Sequence, residues 1–470
     1  MKTPAAVVLL LLIGRWPVPP APQERLLESG AVTVVEIAGG ATHDYLVQAR
    51  VGEAIDVRAT QMGIDLVLML QDPSGRPLIE VDSPNGSQGD EATSIVAPAA
   101  GSYRVRLRAF DPNVGAGRYE LRVVVRAATQ RDIDRAAVHT TVAEARRLLA
   151  AGVERDAAAA VSGLQGALIK ARALGEVDLT RTIGAQLLEA DAAAAFSALG
   201  LHVAAGAVPV YFSRGFDQRA RALRDALTRA VEHFGTRIDV RPPVALAVLG
   251  RADWQAVTSL PYGMPFSTTG RSPLVVMPAE HAMVDEFATA MKKQGLPSGE
   301  AARTVAATGL SLEDGLRLAG DDTMYHELGH ILAQRYGIVQ PNRWFGELMA
   351  NYFGQAYLTE VHPDPRSLVF GGVFRGWFGR QVPTYTSLED LERVYAGMEP
   401  ANYGWYQAHI EERALDVFKT HGLGFLPRVK AAFPEGTPPS LPVSEVLARL
   451  ERAAPGFEAW ARGLKERAPR

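Results

Sequence analysis

Between about residues 28 and 127 apolar and polar positions alternate one by one. Ile55 and Val57 alternate with Asp56 and Arg58, Tyr103, Val105 and Leu107 with Arg104 and Arg106, and Tyr119, Leu121 and Val123 with Glu120 and Arg122. Period-2 alternation places one set on a core face and the other in solvent, so these runs predict half-buried β-strands. Turn clusters such as Asp72-Pro-Ser-Gly, Ser83-Pro-Asn-Gly and Asp111-Pro-Asn separate them. About eight short strands broken by such turns predict a β-sandwich. From Asp132 to Leu199 the period changes. Val142, Ala145, Leu148 and Leu149, and then Ala159, Leu164, Ala167 and Leu168, recur at helical spacing with no proline between them; two to four helices are expected. Beyond residue 201 the pattern is mixed. Strands are predicted around Val208–Phe212, Pro243–Leu249 and Pro273–Pro278, a helix over Asp217–Phe234, and mainly helices from there to the C-terminus, which is an α+β arrangement.

The first residues carry a different signal. Lys2 precedes an unbroken apolar run from Ala5 to Ile13, and prolines follow. As a helix that run spans only about 14 Å, too short for a hydrocarbon core of about 30 Å. The expectation is a secretory signal peptide over residues 1–22, an exported protein in the periplasm or outside the cell, and no stable membrane insertion after its removal.

Composition narrows the chemistry. Hydrophobic residues make up 47% of the 470, enough for a large core. The net charge is −3, without the basic excess of a nucleic-acid binder, so no nucleic-acid partner is expected. With no cysteine, disulfides, thiolate metal sites and a Cys nucleophile are excluded. Any metal must be held by His, Asp or Glu.

The stretch Asp321 to Gly337 contains His326, Glu327 and His330. Asp321 or Asp322 can cap a helix there and Gly337 can end it. Spacing of i to i+4 puts the two imidazoles on one face, about 40° apart in azimuth, where both nitrogens can reach one ion at about 2.0–2.1 Å. Glu327, beside His326, can reach a water on that ion. This is the H-E-x-x-H spacing of metalloproteases. Glu347 follows 17 residues after His330, which allows a turn near Pro341 and a second helix returning antiparallel. His326, His330 and Glu347 are three candidate ligands, leaving the fourth position that catalytic zinc keeps open.

With Trp344, Glu347, Ala350 and Tyr352 in the pattern Trp-x-x-Glu-x-x-Ala-x-Tyr, the two segments together resemble the gluzincin metallopeptidases, closest to the aminopeptidase and thermolysin-like branches. Small Ala350 fits a close approach of two helices. The chain departs from the aminopeptidases in a slightly shorter gap between the motifs and in lacking their Gly-x-Met-Glu-Asn run. The sandwich region, with Ile64-Asp-Leu-Val-Leu, Asp72-Pro-Ser-Gly and Ala97-Pro-Ala-Ala-Gly-Ser-Tyr, resembles the bacterial pre-peptidase C-terminal domain, here placed before the expected peptidase. The helical zone is similar to a tetratricopeptide-type pair without a clear 34-residue repeat, and a plain helical linker suits it better. Asp65, Asp72 and Asp90 suit solvated turns and edges better than a calcium site.

The gluzincin resemblance implies one catalytic zinc ion, a polypeptide substrate, and Glu327 as general base toward a zinc-activated water. It also implies an oxyanion donor just before or within the helix opening at Asn402. Tyr403 matches that position best, with Tyr406 and His409 as alternatives. Asn351, one turn after Glu347, either holds a ligand histidine or packs. Leu274–Met277 is either the edge strand along which gluzincins bind substrate or a core strand. The remaining histidines, including His43, His281 and His362, have no ligand spacing.

The expected organisation is a signal peptide (1–22), a β-sandwich (28–127), a helical connector (130–200), and an α+β gluzincin-like catalytic domain with a mainly helical C-terminal part (201–470). The expected activity is that of an exported zinc metallopeptidase. The rival readings are a catalytically silent cell-envelope scaffold and a zinc hydrolase of a non-peptide amide.

Overall fold

The structure is a computed structural model. It describes residues 25–82, 87–112, 114–152, 154–269, 272–361, 364–395 and 398–467. The expected signal peptide, most of the turn beginning at Ser83, and His362 lie outside them. The chain divides into two compact units, one ending at Ala137 and the other beginning at Val138.

The first unit is a sandwich of two sheets. Strands β1 (Arg25–Leu26), β3 (Thr42–Ala49), β8 (Gly101–Ala109), β5 (Leu66–Gln71) and β6 (Pro77–Val81) form one sheet in that order. Strands β2 (Val32–Ile37), β9 (Gly117–Ala127), β4 (Glu53–Met62) and β7 (Gln88–Val96) form the other. Every pairing is antiparallel except β1 with β3. The alternation does what it predicts: Tyr103, Val105 and Leu107 on β8 and Tyr119, Leu121 and Val123 on β9 enter one core with Tyr45, Ile55, Leu66 and Leu68. Asp72 accepts from the Ser74 and Arg76 backbone N–H groups and from both their side chains, a turn rather than a calcium ligand. Asp90 accepts from Thr60 on the paired strand.

Helix α1 (Gln130–Ala150) runs across the division between the units, and α2 (Glu154–Ala173), α3 (Val177–Ala190) and α4 (Ala192–Leu199) follow it. Strands β10 (His202–Ala204) and β11 (Val210–Phe212), helix α5 (Asp217–Arg237), β12 (Ala245–Leu249), α6 (Arg251–Gln255), β13 (Phe266–Thr268) and β14 (Leu274–Pro278) come next. The sheet order is β10-β11-β12-β14-β13, with β11, β12 and β14 parallel and the outer strands antiparallel. Side chains on a strand alternate between faces, and both faces here are covered. Ala247, Leu249, Leu274 and Val276 pack with Leu164, Leu168, Leu187 and Phe196 from α2, α3 and α4. Leu246, Val248, Val275 and Met277 pack with Leu227 and Phe234 of α5 and with Leu328 and Leu332 further on. Leu274–Met277 is therefore a core strand. The free edge beside it is β13.

The rest is helical: α7 (Ala282–Lys293), α8 (Gly299–Ala307), α9 (Leu312–Asp321), α10 (Thr323–Tyr336), α11 (Arg343–Val361), α12 (Pro365–Phe378), α13 (Leu388–Val394), α14 (Pro400–His421), α15 (Phe425–Ala432), α16 (Val443–Ala453) and α17 (Phe457–Glu466). The observed sequence of layers is sandwich, helices, mixed α+β region, and long helical C-terminal part, as the pattern predicted. No helix among the described residues is long and apolar enough to cross a membrane.

Candidate metal centre

Helix α10 carries the H-E-x-x-H residues. It ends as expected: Gly337 takes a left-handed conformation (φ 87°) and its N–H returns to the carbonyls of Ala333 and Gln334. Its start is different. Asp322 stands at the N-cap position but its side chain makes no capping bond. Asp321 closes α9 instead, and its carboxylate is held by Arg219 through two bonds of 2.7 and 3.0 Å and by His281 at 2.9 Å. Neither aspartate side chain caps the helix.

Helix α11 lies antiparallel against α10. A β-carbon built on Gly329 would sit 2.4 Å from the Ala350 carbonyl oxygen, and one on Gly354 would sit 3.2 Å from the His326 backbone nitrogen. As position 326 passes to 329 on one helix, 354 passes to 350 on the other, so the chains run in opposite directions. Two glycines and an alanine allow this approach, and it brings Glu347 to the histidine face. The Glu347 Oε2 atom is 3.3 Å from His326 Nε2 and 3.9 Å from His330 Nε2.

Ligand atoms of the three residues all lie within 4.8 Å of one another, and no other group of three metal-ligating side chains does so among the described residues. Ligands at about 2.0–2.1 Å around a tetrahedral ion are about 3.3–3.4 Å apart. The observed separations need only small side-chain adjustments, and two imidazoles plus a carboxylate suit zinc. The arrangement is that of an H-E-x-x-H motif with a distal Glu and is suited to a single metal ion. Glu347 is 9% exposed, while the His326 and His330 rings are about one-fifth exposed. The carboxylate is thus buried behind two rings that meet the cleft.

Electrostatics follow from this closeness. Burial pushes the Glu347 carboxyl up, but the His326 hydrogen bond and both imidazoles outweigh it and bring it down to about 2. Burial pushes His326 down, and the Glu347 bond together with the charges of Glu327 and Glu347 raises it to about 9. His330 is lowered by burial. Without a metal, the anion Glu347 is thus balanced by a proton on His326, and a cation can take that proton's place.

The cleft over this cluster has a volume of about 1470 Å3. Ser267, Glu327, Tyr395 and Tyr403 line it beside the three candidate ligands, and Met264, Phe266 and Ile338 contribute apolar wall. The Ser267 hydroxyl donates to Glu327 Oε2 at 2.8 Å, which places the edge strand β13 directly against that carboxylate.

Of the three proposed oxyanion donors, Tyr403 lines the cleft. Tyr406 is turned away and donates to the Ser387 carbonyl at 2.7 Å. His409 is buried against Trp405 and Arg467. Asn351 donates to the Glu347 carbonyl and to Gln407 Oε1, each at 3.0 Å, and its side chain helps to raise His326. Burial raises the hydroxyls of Tyr395 and Tyr403 well above the ordinary tyrosine value, so both remain protonated donors.

Three contacts of the site had no sequence expectation. Tyr395 donates to Glu347 Oε1 at 2.7 Å, Gln407 Nε2 donates to Glu347 Oε2 at 2.7 Å, and Ser267 binds Glu327. Tyr395 comes from the end of α13 with no motif around it. Gln407 is one helical turn after Tyr403, so a same-face rule applied to α14 could have found it.

No family model matches the chain, and no curated protein matches it. Among solved structures, the pre-peptidase C-terminal domain of a Bacillus anthracis collagenase is 19% identical, covering 23% of this chain and 99% of that domain, with a TM-score of 0.19. Periplasmic inhibitors of g-type lysozyme from Aeromonas hydrophila (15% identity, 22% of this chain, 96% of that one, TM-score 0.19) and Salmonella Typhimurium (21%, 23%, 100%, 0.18) are similar to the same degree. Likeness at this level carries no functional argument.

Proposed function

We propose that this protein is an exported zinc metallopeptidase of the gluzincin type, with His326, His330 and Glu347 as zinc ligands and Glu327 and Tyr403 as catalytic residues. The observation that carries the reading is the convergence of the three ligand atoms in a cleft, with Glu327 on the helix that carries both histidines. When bound there, zinc supplies Lewis acidity, which polarises a carbonyl and makes water a better acid near neutral pH.

The chain's own residues then have distinct tasks. Glu327 is oriented by Ser267 through one oxygen and keeps the other for a water proton. After accepting that proton it can pass it to the departing amine. Tyr403, protonated and facing the cleft, is placed to donate to a substrate carbonyl oxygen as negative charge develops there. The volume of about 1470 Å3 and the partly apolar walls of the cleft leave room for several residues of a polypeptide. The organisation into leader, sandwich, helical connector and catalytic region belongs to the same proposal.

The test compares zinc content and casein hydrolysis for the wild type and Glu327→Gln. Zinc in both with turnover only in the wild type supports the reading. Equal turnover in both removes Glu327 as base. Zinc in both with turnover in neither favours the scaffold or non-peptide alternatives, which a broad amide library would separate.

A further inference from the structure

Gln407, on α14, reaches two groups at once. Its Nε2 lies 2.7 Å from Glu347 Oε2 and 2.8 Å from the Tyr403 hydroxyl. We propose that Gln407 is a positioning residue that fixes, with one amide group, both the metal-facing oxygen of Glu347 and the direction of the Tyr403 proton. This rests on the zinc-peptidase reading above.

A carboxamide nitrogen carries two hydrogens and accepts none. Glu347 Oε2 and the Tyr403 oxygen are therefore both acceptors of Gln407. The amide cannot turn over without loss, because its oxygen accepts from Asn351 at 3.0 Å. Asn351 in turn donates to the Glu347 backbone carbonyl.

Two consequences follow. Oε2 is the oxygen that faces both histidines, while Oε1 is engaged by Tyr395 at 2.7 Å. The two bonds together fix the rotation of the carboxylate, so that Oε2 is the oxygen that would be turned to a metal held by the histidines. At Tyr403, the bond from Gln407 occupies the side of the phenol oxygen facing that amide, so the phenol's own proton is directed away from Gln407, leaving it for the cleft that Tyr403 lines. Metal affinity and the donor to the reacting carbonyl are set through the same side chain. Neither consequence depends on burying Gln407 in the core, since it is half-buried.

The test uses the full chain and four proteins: wild type, Gln407→Leu, Gln407→Met and Tyr403→Phe, with the Gln407→Leu/Tyr403→Phe double variant added. Zinc affinity is measured by competition with a chromophoric chelator, unfolding of the metal-free proteins by circular dichroism, and kcat and KM at saturating zinc. Loss of an outer hydrogen bond to a ligand costs about 10–100-fold in metal affinity, and that loss is expected in Gln407→Leu and Gln407→Met with the native circular dichroism spectrum of the metal-free protein retained and its unfolding midpoint lowered only as the lost bonds require. Tyr403→Phe should bind zinc as the wild type does and lose kcat with KM retained. The double variant should lose no more kcat than the worse single variant, because both act on one donor.

Wild-type zinc affinity in both Gln407 variants, or a double variant whose losses multiply, overturns the proposal. Loss of the native circular dichroism spectrum in both metal-free Gln407 variants overturns it too, in favour of plain packing. Failure of the wild type itself to bind zinc is a different result, and it removes the peptidase reading first.

Discussion

Gly329 and Ala350 meet backbone to backbone. A β-carbon on Gly329 would stand 2.4 Å from the Ala350 carbonyl oxygen and 2.8 Å from its α-carbon. No rotamer change relieves a clash with main chain, so Gly329→Ala must push α10 and α11 apart. Overpacking costs about 1–3 kcal/mol, and the better helix propensity of alanine offsets at most about 1 of it. We expect weaker zinc binding together with lowered stability, both read by denaturant unfolding with and without zinc. A variant that binds zinc normally would show that this approach does not set the site.

Zinc binding should release a proton near neutral pH. In the metal-free protein His326 is raised from 6.5 to about 9, so at pH 7 it carries a proton that a metal must displace. Titration calorimetry in buffers of different ionisation enthalpy should report about one proton released at pH 7 and none at pH 10. The same shift has a stability consequence with a definite sign. The contribution is present in full below 6.5 and is lost as pH rises through about 9, in the metal-free protein only.

Asp322 behaves in the opposite sense to a salt-bridged carboxylate. Burial raises it from 3.8 to about 7, helped by the nearby charges of Asp321 and Asp364 and opposed by a bond from Ser367. The folded state thus holds this proton more tightly than the unfolded state does, so the group costs stability as pH rises from about 4 to 7. Asp322→Asn should stabilise the protein at pH 8 and have much less effect at pH 4. A difference independent of pH would contradict the assignment.

Tyr403→Phe removes the donor offered to a substrate carbonyl. By analogy with other single oxyanion donors, kcat should fall about 10²–10³-fold. Tyr406→Phe should leave kcat near the wild-type value, because its hydroxyl serves the Ser387 carbonyl. Steady-state kinetics on one peptide substrate checks both.

Much of this was legible because periodicity is local. Alternation at Tyr103, Val105 and Leu107 announced the sandwich, and the i to i+4 histidines announced the ligand face of α10. Glu347 was legible through spacing, since a 17-residue gap permits one helix, a turn and a returning helix. The parts that were not legible depend on long-range packing. Tyr395 reaches Glu347 across 48 residues and Ser267 reaches Glu327 across 60, and neither is marked by local pattern. Which strand forms the sheet edge was undecidable for a similar reason. Leu274–Met277 is apolar throughout, which fits a core strand, but only the pairing with β13 shows what covers it. The expected side-chain cap at Asp321 or Asp322 is absent: Asp321 ends α9 with its carboxylate held by the distant Arg219 and His281, and Asp322 stands at the N-cap position without a capping bond.

The most direct measurement is zinc X-ray absorption on the purified, zinc-loaded protein, with His326→Ala and Glu347→Ala as controls. The account predicts one ion per chain, two imidazole scatterers plus oxygen ligands at about 2.0–2.1 Å, and loss of the stoichiometric ion in both variants. A wild-type spectrum without two imidazoles, or undiminished zinc in either variant, would contradict it.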